Sequence, residues 1–306
     1  MAEITASLVK ELREKTLAGM MECKKALTET NGDIEQAIDW LRKKGLSVAA
    51  KKAGRIASQG LVGIKSNGKK GVVVELNSET DFVAKNEEFQ GYLNGVVEVA
   101  FENDHDIETL KNAKLGDKTV QEKLTDMIAK IGENMNLRRV ASVSVENGLV
   151  VPYLHTATTP TLGRIGVLVA LESDADADQL VELGKHIAMH VAAAAPKFLS
   201  IGDVDEASLN HEKAIFEEQA KASGKPANII EKMVEGRIRK YYEEAVLLEQ
   251  AFVMDPDKKI KDVLKDAEKT LGKPVAIKAF VRYSLGEGLE KKNEDFAAEV
   301  SKELAK

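Results

Sequence analysis

An α+β fold fronted by a small helical module is the class this sequence predicts, and three observations predict it. Apolar residues recur at helical spacing between Leu8 and Leu41. Strand-like runs then take over, two flanking Asn67-Gly68 and two more flanking Asn147-Gly148. Finally, the run "GVVVEL" from Gly71 returns as "GVLVAL" from Gly166, each followed by an apolar helical stretch.

The front module reads as three helices. Thr5 can cap the first, which carries Leu8, Val9 and Leu12. In the second, "MMECKKALTE", the apolar face takes Met20, Cys23 and Leu27. Met21 points away from that face, either as an ordinary surface side chain or as an adaptable apolar contact for a partner. Asp33 caps the third helix, Gln36 sits at the capping-box position, and Ile34, Ala37, Ile38 and Leu41 form a buried stripe. Three helices of about ten residues bury little, so such a bundle is marginal alone. The next stretch, "RKKGLSVAAKKAGR", carries basic residues and no acidic ones. It reads as a solvated helix end and linker rather than an RNA footprint, because no aromatic is interleaved for base stacking.

The hairpin "GLVGIKSNGKKGVVVEL" follows, with both turn positions expected at positive φ. Its second strand leads into "SETDFVAK", where Phe82 and Val83 interrupt an acidic, hydroxyl-bearing loop. The helix "NEEFQGYLNGVVEVA" then places Phe89, Tyr92, Leu93, Val96 and Val97 on one side. Residues 103–120 read as a polar loop and short helix, and "QEKLTDMIAKIGENM" as a helix leading to the second hairpin.

The two related strands are offset by 95 residues, and the same offset places Tyr92 on Ile187, Val96 on Val191 and Val97 on Ala192. Two related antiparallel-sheet subdomains with covering helices are therefore expected. At that offset Thr80-Asp81-Phe82-Val83 aligns with Ala175-Asp176-Ala177-Asp178. The second copy has no aromatic there, which shifts the weight for Phe82 and Val83 from packing toward function.

Residues 203–248 are helical and highly charged, broken at Ser223-Gly224-Lys225-Pro226. They form an inserted helical hairpin, read either as a solvated arm or as an association arm. A final strand, "PVAIKAFVRYSLG", and a charged terminal helix, "EDFAAEVSKELAK", complete the chain. The expected organisation is a helical module and basic linker over 1–55 and a first core subdomain over 56–140. A second core subdomain spans 141–202 and 249–285, the arm 203–248, and a C-terminal helical module 286–306.

Composition narrows the function. The net charge of −6 argues against general polyanion binding, so no direct nucleic-acid partner is expected. Cys23 is the only cysteine, which removes a disulfide framework and a cysteine-based metal site. No apolar run reaches the length of about 18 residues that a spanning helix needs, and the first residues lack a signal-peptide core. A cytoplasmic protein with no membrane association is the expectation. His186 and His190 are four apart in "HIAMH", but Ile187 stands where a zincin needs Glu. They read as satisfied helix histidines. Without a phosphate loop, dinucleotide fingerprint or nucleophile elbow, neither catalytic residues nor a cofactor or metal site is expected.

Several stretches taken together resemble the bacterial elongation factor Ts family, the guanine nucleotide exchange factors of elongation factor Tu. These are "AGMMECKKAL", "NGDIEQAI", "TDFVAKNEEF", "KIGENMNLRR", "RIGVLV", "HIAMHVAA" and "EKMVEGR", in the family's order. The chain departs from the family's usual Gly at Leu17, and segments 103–120 and 156–163 match no pattern of it. The resemblance implies a ubiquitin-associated-like three-helix module, two related subdomains, a dimerisation arm and a C-terminal helix. It implies that Thr80, Asp81, Phe82 and Val83 intrude near the partner's nucleotide site and dislodge its magnesium. It further implies partner contacts near Arg13, Met20 and Met21 in the helical module, and near His155 in the second subdomain.

Overall fold

The computed structural model describes residues 4–16, 18–103, 106–222 and 226–290. Leu17, the break at 223–225 and the terminal helix expected over 294–306 lie outside the described residues. The chain divides into two compact units. One holds the described parts of Met1–Leu61, Val74–Val140 and Leu285–Lys306, and the other holds Val62–Val73 and Ala141–Ser284.

The first unit opens with α1 (Ala6–Thr16), α2 (Met20–Glu29) and α3 (Ile34–Lys52). Leu8 N–H donates to Thr5 Oγ1 at 3.3 Å and Gln36 N–H to Asp33 Oδ1 at 2.9 Å, so both expected caps form. Leu12, Cys23, Ala26, Leu27 and Ala37 make the bundle core, with Leu8, Val9, Ile34, Ile38 and Leu41 packed against it.

Two expectations are corrected here. Met20 is not on the buried face. It opens α2 and is 61% exposed, while Ala26 takes the inward position beside Cys23 and Leu27. Nor is the basic stretch mainly linker: it ends the third helix, but α3 runs on through it to Lys52. Three of its five helical cations are held by partners: Arg42 pairs with Glu122, Lys44 with Glu22, and Lys52 donates to the Gly132 carbonyl. Arg55, just beyond the helix, reaches Glu79 at 3.5 Å. These four side chains are engaged within the chain, which is the physical reason the stretch is not a free linker.

The strand pair β1 (Gln59–Ser66) and β2 (Lys70–Ser78) follows, then α4 (Asp81–Ala84), α5 (Glu87–Glu102) and α6 (Ile107–Asn112). A small hairpin of β3 (Lys114–Leu115) and β4 (Lys118–Thr119), the helix α7 (Val120–Ile131) and β5 (Met135–Ser144) come next. Helix α5 buries Phe89, Tyr92, Leu93, Val96 and Val97, the side its spacing selects. The β1–β2 turn differs from expectation: Gly68 has φ +87°, but Asn67 does not join it in the left-handed region. Asn67 works through its side chain instead, Oδ1 accepting the N–H groups of Lys69 at 3.0 Å and Lys70 at 2.8 Å.

The remaining elements are β6 (Gly148–Ala157), β7 (Leu162–Glu172), α8 (Ala177–Ala194), the arm helices α9 (Glu206–Lys221) and α10 (Ala227–Ala245), β8 (Ala251–Phe252), β9 (Asp255–Lys259), α11 (Ile260–Leu271) and β10 (Ala276–Ser284). In the second unit β7 is central. It pairs antiparallel with β6, Val151 opposite Val169, and with β10, Phe280 opposite the same residue. The end of β7 also meets β1, with Val62 opposite Gly163. Helix α8 covers this sheet, burying Leu180, Ile187, Ala188 and Val191 with Val167, Val169 and Leu171. The helix residues matched by the 95-residue offset, Tyr92 with Ile187, Val96 with Val191 and Val97 with Ala192, are buried in both copies. Helix α11 has no counterpart among the sequence expectations, although Ile260 and Leu264 join the same core. No helix among the described residues is long and apolar enough to cross a membrane.

His190 is fully buried in α8, and both ring nitrogens are used: Nε2 lies 2.9 Å from Gln250 Oε1, and Nδ1 accepts Val253 N–H at 3.3 Å. That pattern fixes a neutral imidazole carrying its proton on Nε2. His186 is half-buried, and no cluster among the described residues could hold a metal ion.

Candidate functional site

The site is built where β2 ends. Ser78 Oγ donates to the Thr80 carbonyl at 2.9 Å, turning the chain out of the strand. Thr80 is gripped from a segment 53 residues away: its N–H donates to Glu133 Oε2 at 3.0 Å and its hydroxyl to Glu133 Oε1 at 2.8 Å. The neighbouring pair runs the other way, Asn134 N–H donating to Glu79 Oε1 at 2.6 Å. Residues 79–80 and 133–134 are thus cross-strapped by three hydrogen bonds to carboxylates, the strong kind.

The strapped loop launches α4, a single turn. Successive helical residues are rotated by about 100°, so one turn sorts its four side chains. Val83 and Ala84 face inward at 6% and 8% exposure, whereas Phe82 is 77% exposed. Lys85 Nζ lies 3.2 Å from Asp81 Oδ2 and 5.6 Å from the centre of the Phe82 ring. One cation therefore touches both outward members of the turn. All three side chains are open to water, so each contact is worth at most about 1 kcal/mol.

Asn86 then ends the turn and starts α5, its Oδ1 accepting Glu88 N–H at 2.8 Å and Phe89 N–H at 3.3 Å. In the second copy Asp176 caps α8 through Asp178 N–H, and that helix runs unbroken to Ala194. The separate turn bearing Phe82 is thus where the two copies diverge in structure as well as in sequence.

Beneath the loop, β2 carries a fully buried carboxylate, Glu75. Arg138 donates to it at 3.0 Å, Arg139 joins it, Asn77 Nδ2 lies at 3.0 Å, and Gly286 N–H at 2.9 Å. Burial pushes the Glu75 carboxyl up, but the Gly286 N–H and the Arg139 guanidinium outweigh it and hold Glu75 below its ordinary value. The strand entering the site is therefore fixed by an ionised cluster in which the Glu75 carboxylate is fully engaged, while the buried Asn77 Oδ1 has no hydrogen-bond partner among the described residues.

Of the sequence-predicted residues, Thr80, Asp81, Phe82 and Val83 come together on this loop and turn. Thr80 is braced, Asp81 and Phe82 face outward, and Val83 faces its own core. Arg13 is exposed in the last turn of α1, and Met20 and Met21 stand at the start of α2 at 61% and 75% exposure. His155 is exposed on β6 in the other unit, with Tyr153 Oη 3.2 Å from its Nδ1. Sequence reasoning missed Glu133 and Lys85. The segment holding Glu133 carried no sign of its target, because the contact spans 53 residues. Chemically, the turn offers a bare apolar ring beside a carboxylate.

The family model described as elongation factor TS matches residues 79–287, a span that includes the whole loop and turn. Elongation factor Ts of Rhodospirillum rubrum is 60% identical over 309 residues, covering 100% of both chains. That of Paramagnetospirillum magneticum is 60% identical over 303 residues, covering 98% of this chain and 97% of the relative. That of Caulobacter vibrioides is 58% identical, covering 98% of each.

Proposed function

This chain belongs to the elongation factor Ts family, and on that premise we propose that it is the guanine nucleotide exchange factor of elongation factor Tu in translation elongation. It binds the GDP-bound partner, dislodges magnesium and promotes GDP release so that GTP can rebind. It forms no covalent intermediate, and its work is binding alone. The single observation that carries this reading is a phenylalanine ring held 77% exposed on a turn whose next residue is buried.

A GTPase holds GDP through loop amides and a magnesium ion bridging phosphate oxygens. An exchange factor leaves the final nucleotide equilibrium unchanged. It binds most tightly to the nucleotide-free state, and by linkage it weakens GDP as much as GDP weakens it. Burying the Phe82 side chain in a pocket of the opened partner supplies about 2–3 kcal/mol. That corresponds to about 30- to 150-fold in nucleotide affinity, provided the contact exists only in the opened state. Asp81 brings negative charge toward the metal's surroundings, and Thr80 and Val83 fix the turn.

On the same reading Arg13, Met20 and Met21 are further contacts to the partner's nucleotide-binding domain, and His155 contacts another of its domains. The arm at 203–248 is proposed as a dimerisation element, and the protein acts in the cytoplasm. The test is to add catalytic amounts of the chain to GDP-loaded elongation factor Tu and time nucleotide loss. Accelerated loss supports the reading, and loss at the spontaneous rate refutes it.

A further inference from the structure

We infer that Glu133 is a positioning residue for nucleotide exchange, setting the Phe82 turn before the partner is met; this deepens the proposed function and rests on it. Glu133 lies just after Gly132, where α7 has ended, and before β5. Its two carboxylate oxygens take both donors of Thr80, the backbone N–H and the hydroxyl. Thr80 is the N-cap residue of α4, with φ −124° and ψ 159°, and its hydroxyl does not cap the turn below it. An N-cap hydroxyl ordinarily serves its own helix, so this one has been diverted to Glu133.

The consequence is geometric. A turn of four residues has too few internal hydrogen bonds to hold its own direction. Two hydrogen bonds donated to one carboxylate by the residue where the turn begins fix both its position and its rotation. The rotation decides whether Phe82 or Val83 points outward. Asn134 N–H on Glu79 pins the preceding residue, so the joint cannot swivel about a single point. A wedge that must be ordered on binding spends part of its contact energy on that ordering, and Glu133 removes that cost in advance.

The experiment uses the full chain and measures release of fluorescent GDP from elongation factor Tu over a range of chain concentrations. Glu133→Ala is expected to lower the maximal release rate about tenfold, by loss of two charge-assisted hydrogen bonds. The half-saturating concentration should move less than about twofold, because most of the contact surface is untouched. Glu133→Gln should restore the rate to within about threefold, since its amide oxygen can accept Thr80 N–H and its amide N–H can donate to the hydroxyl. In a Phe82→Ala background, Glu133→Ala should cost less than about twofold, because a positioning residue has nothing left to position.

A native rate in Glu133→Ala overturns the inference, as does an undiminished tenfold loss in the Phe82→Ala background. If Glu133→Ala does not fold, Thr80→Val removes only the hydroxyl arm and should slow maximal release about threefold; a native rate there also overturns it. A native chain that leaves GDP release at the spontaneous rate sinks the functional reading itself, and a Phe82→Ala chain that exchanges normally sinks the role of the ring; both are distinguished from failure of the brace alone.

Discussion

Phe82 and Val83 are neighbours in the chain and opposites in environment: the ring is 77% exposed and the valine 6%. The two positions should therefore separate function from stability. Val83→Ala removes two buried carbons and should destabilise the first unit by about 2 kcal/mol, from transfer plus residual cavity. Phe82→Ala should leave the melting temperature within about 1 °C, because an exposed side chain contributes little to folding. Thermal melting of the two variants reads both effects.

Lys85 contacts both Asp81 and Phe82, but every partner is solvated. Exposed pairs of this kind contribute under about 1 kcal/mol. Lys85→Ala should slow exchange less than about threefold, and raising salt should erase most of the difference. A loss as large as that of Phe82→Ala would mean that the lysine itself contacts the partner.

Glu75 is buried with its carboxylate fully engaged. Removing one member of a buried ionic cluster costs about 3–5 kcal/mol, and Glu75→Ala should sit near the lower value because Arg138 and Arg139 still reach water. The denaturant midpoint measures it. The sign with pH follows from the lowered carboxyl: the stabilisation is present above the ordinary value of 4.5 and is lost as acid carries the pH down through the folded value.

His190 gives a second pH signature. Burial pushes its imidazole below the ordinary 6.5, a shift that its bond to Gln250 opposes. The groups shown facing it are Gln250, the Val253 N–H and the Phe252 ring, all uncharged. Below that ordinary value the unfolded chain takes up a proton that the folded one resists, so stability falls as the pH drops. His190→Gln should flatten this part of the urea-midpoint profile. An unchanged slope would assign the titration to another group.

Much of the fold was legible because it rests on local pattern. The buried side of α5 and the caps at Thr5 and Asp33 follow from spacing within one element, and the strand repeat with its 95-residue partners follows from the same local pattern occurring twice. What failed depended on distant partners. The basic stretch looked like a linker because Glu122 and Gly132, which hold Arg42 and Lys52, lie 80 residues away. Met20 fits a helical face by spacing, yet at the very start of α2 it is 61% exposed. Helix α11 was not among the expectations, although Ile260, Val263, Leu264 and Leu271 recur at helical spacing. At the site, Phe82 stood out because its counterpart Ala177 is small, but the division between Phe82 and Val83 needed the helical turn itself.

The central claim is that the Phe82 ring works by being buried in the partner. Its most direct measurement is stopped-flow release of fluorescent GDP from elongation factor Tu, native chain against Phe82→Ala at saturating concentration. The account predicts release slowed about 30- to 150-fold by a variant that still folds. Release at the native rate would contradict it.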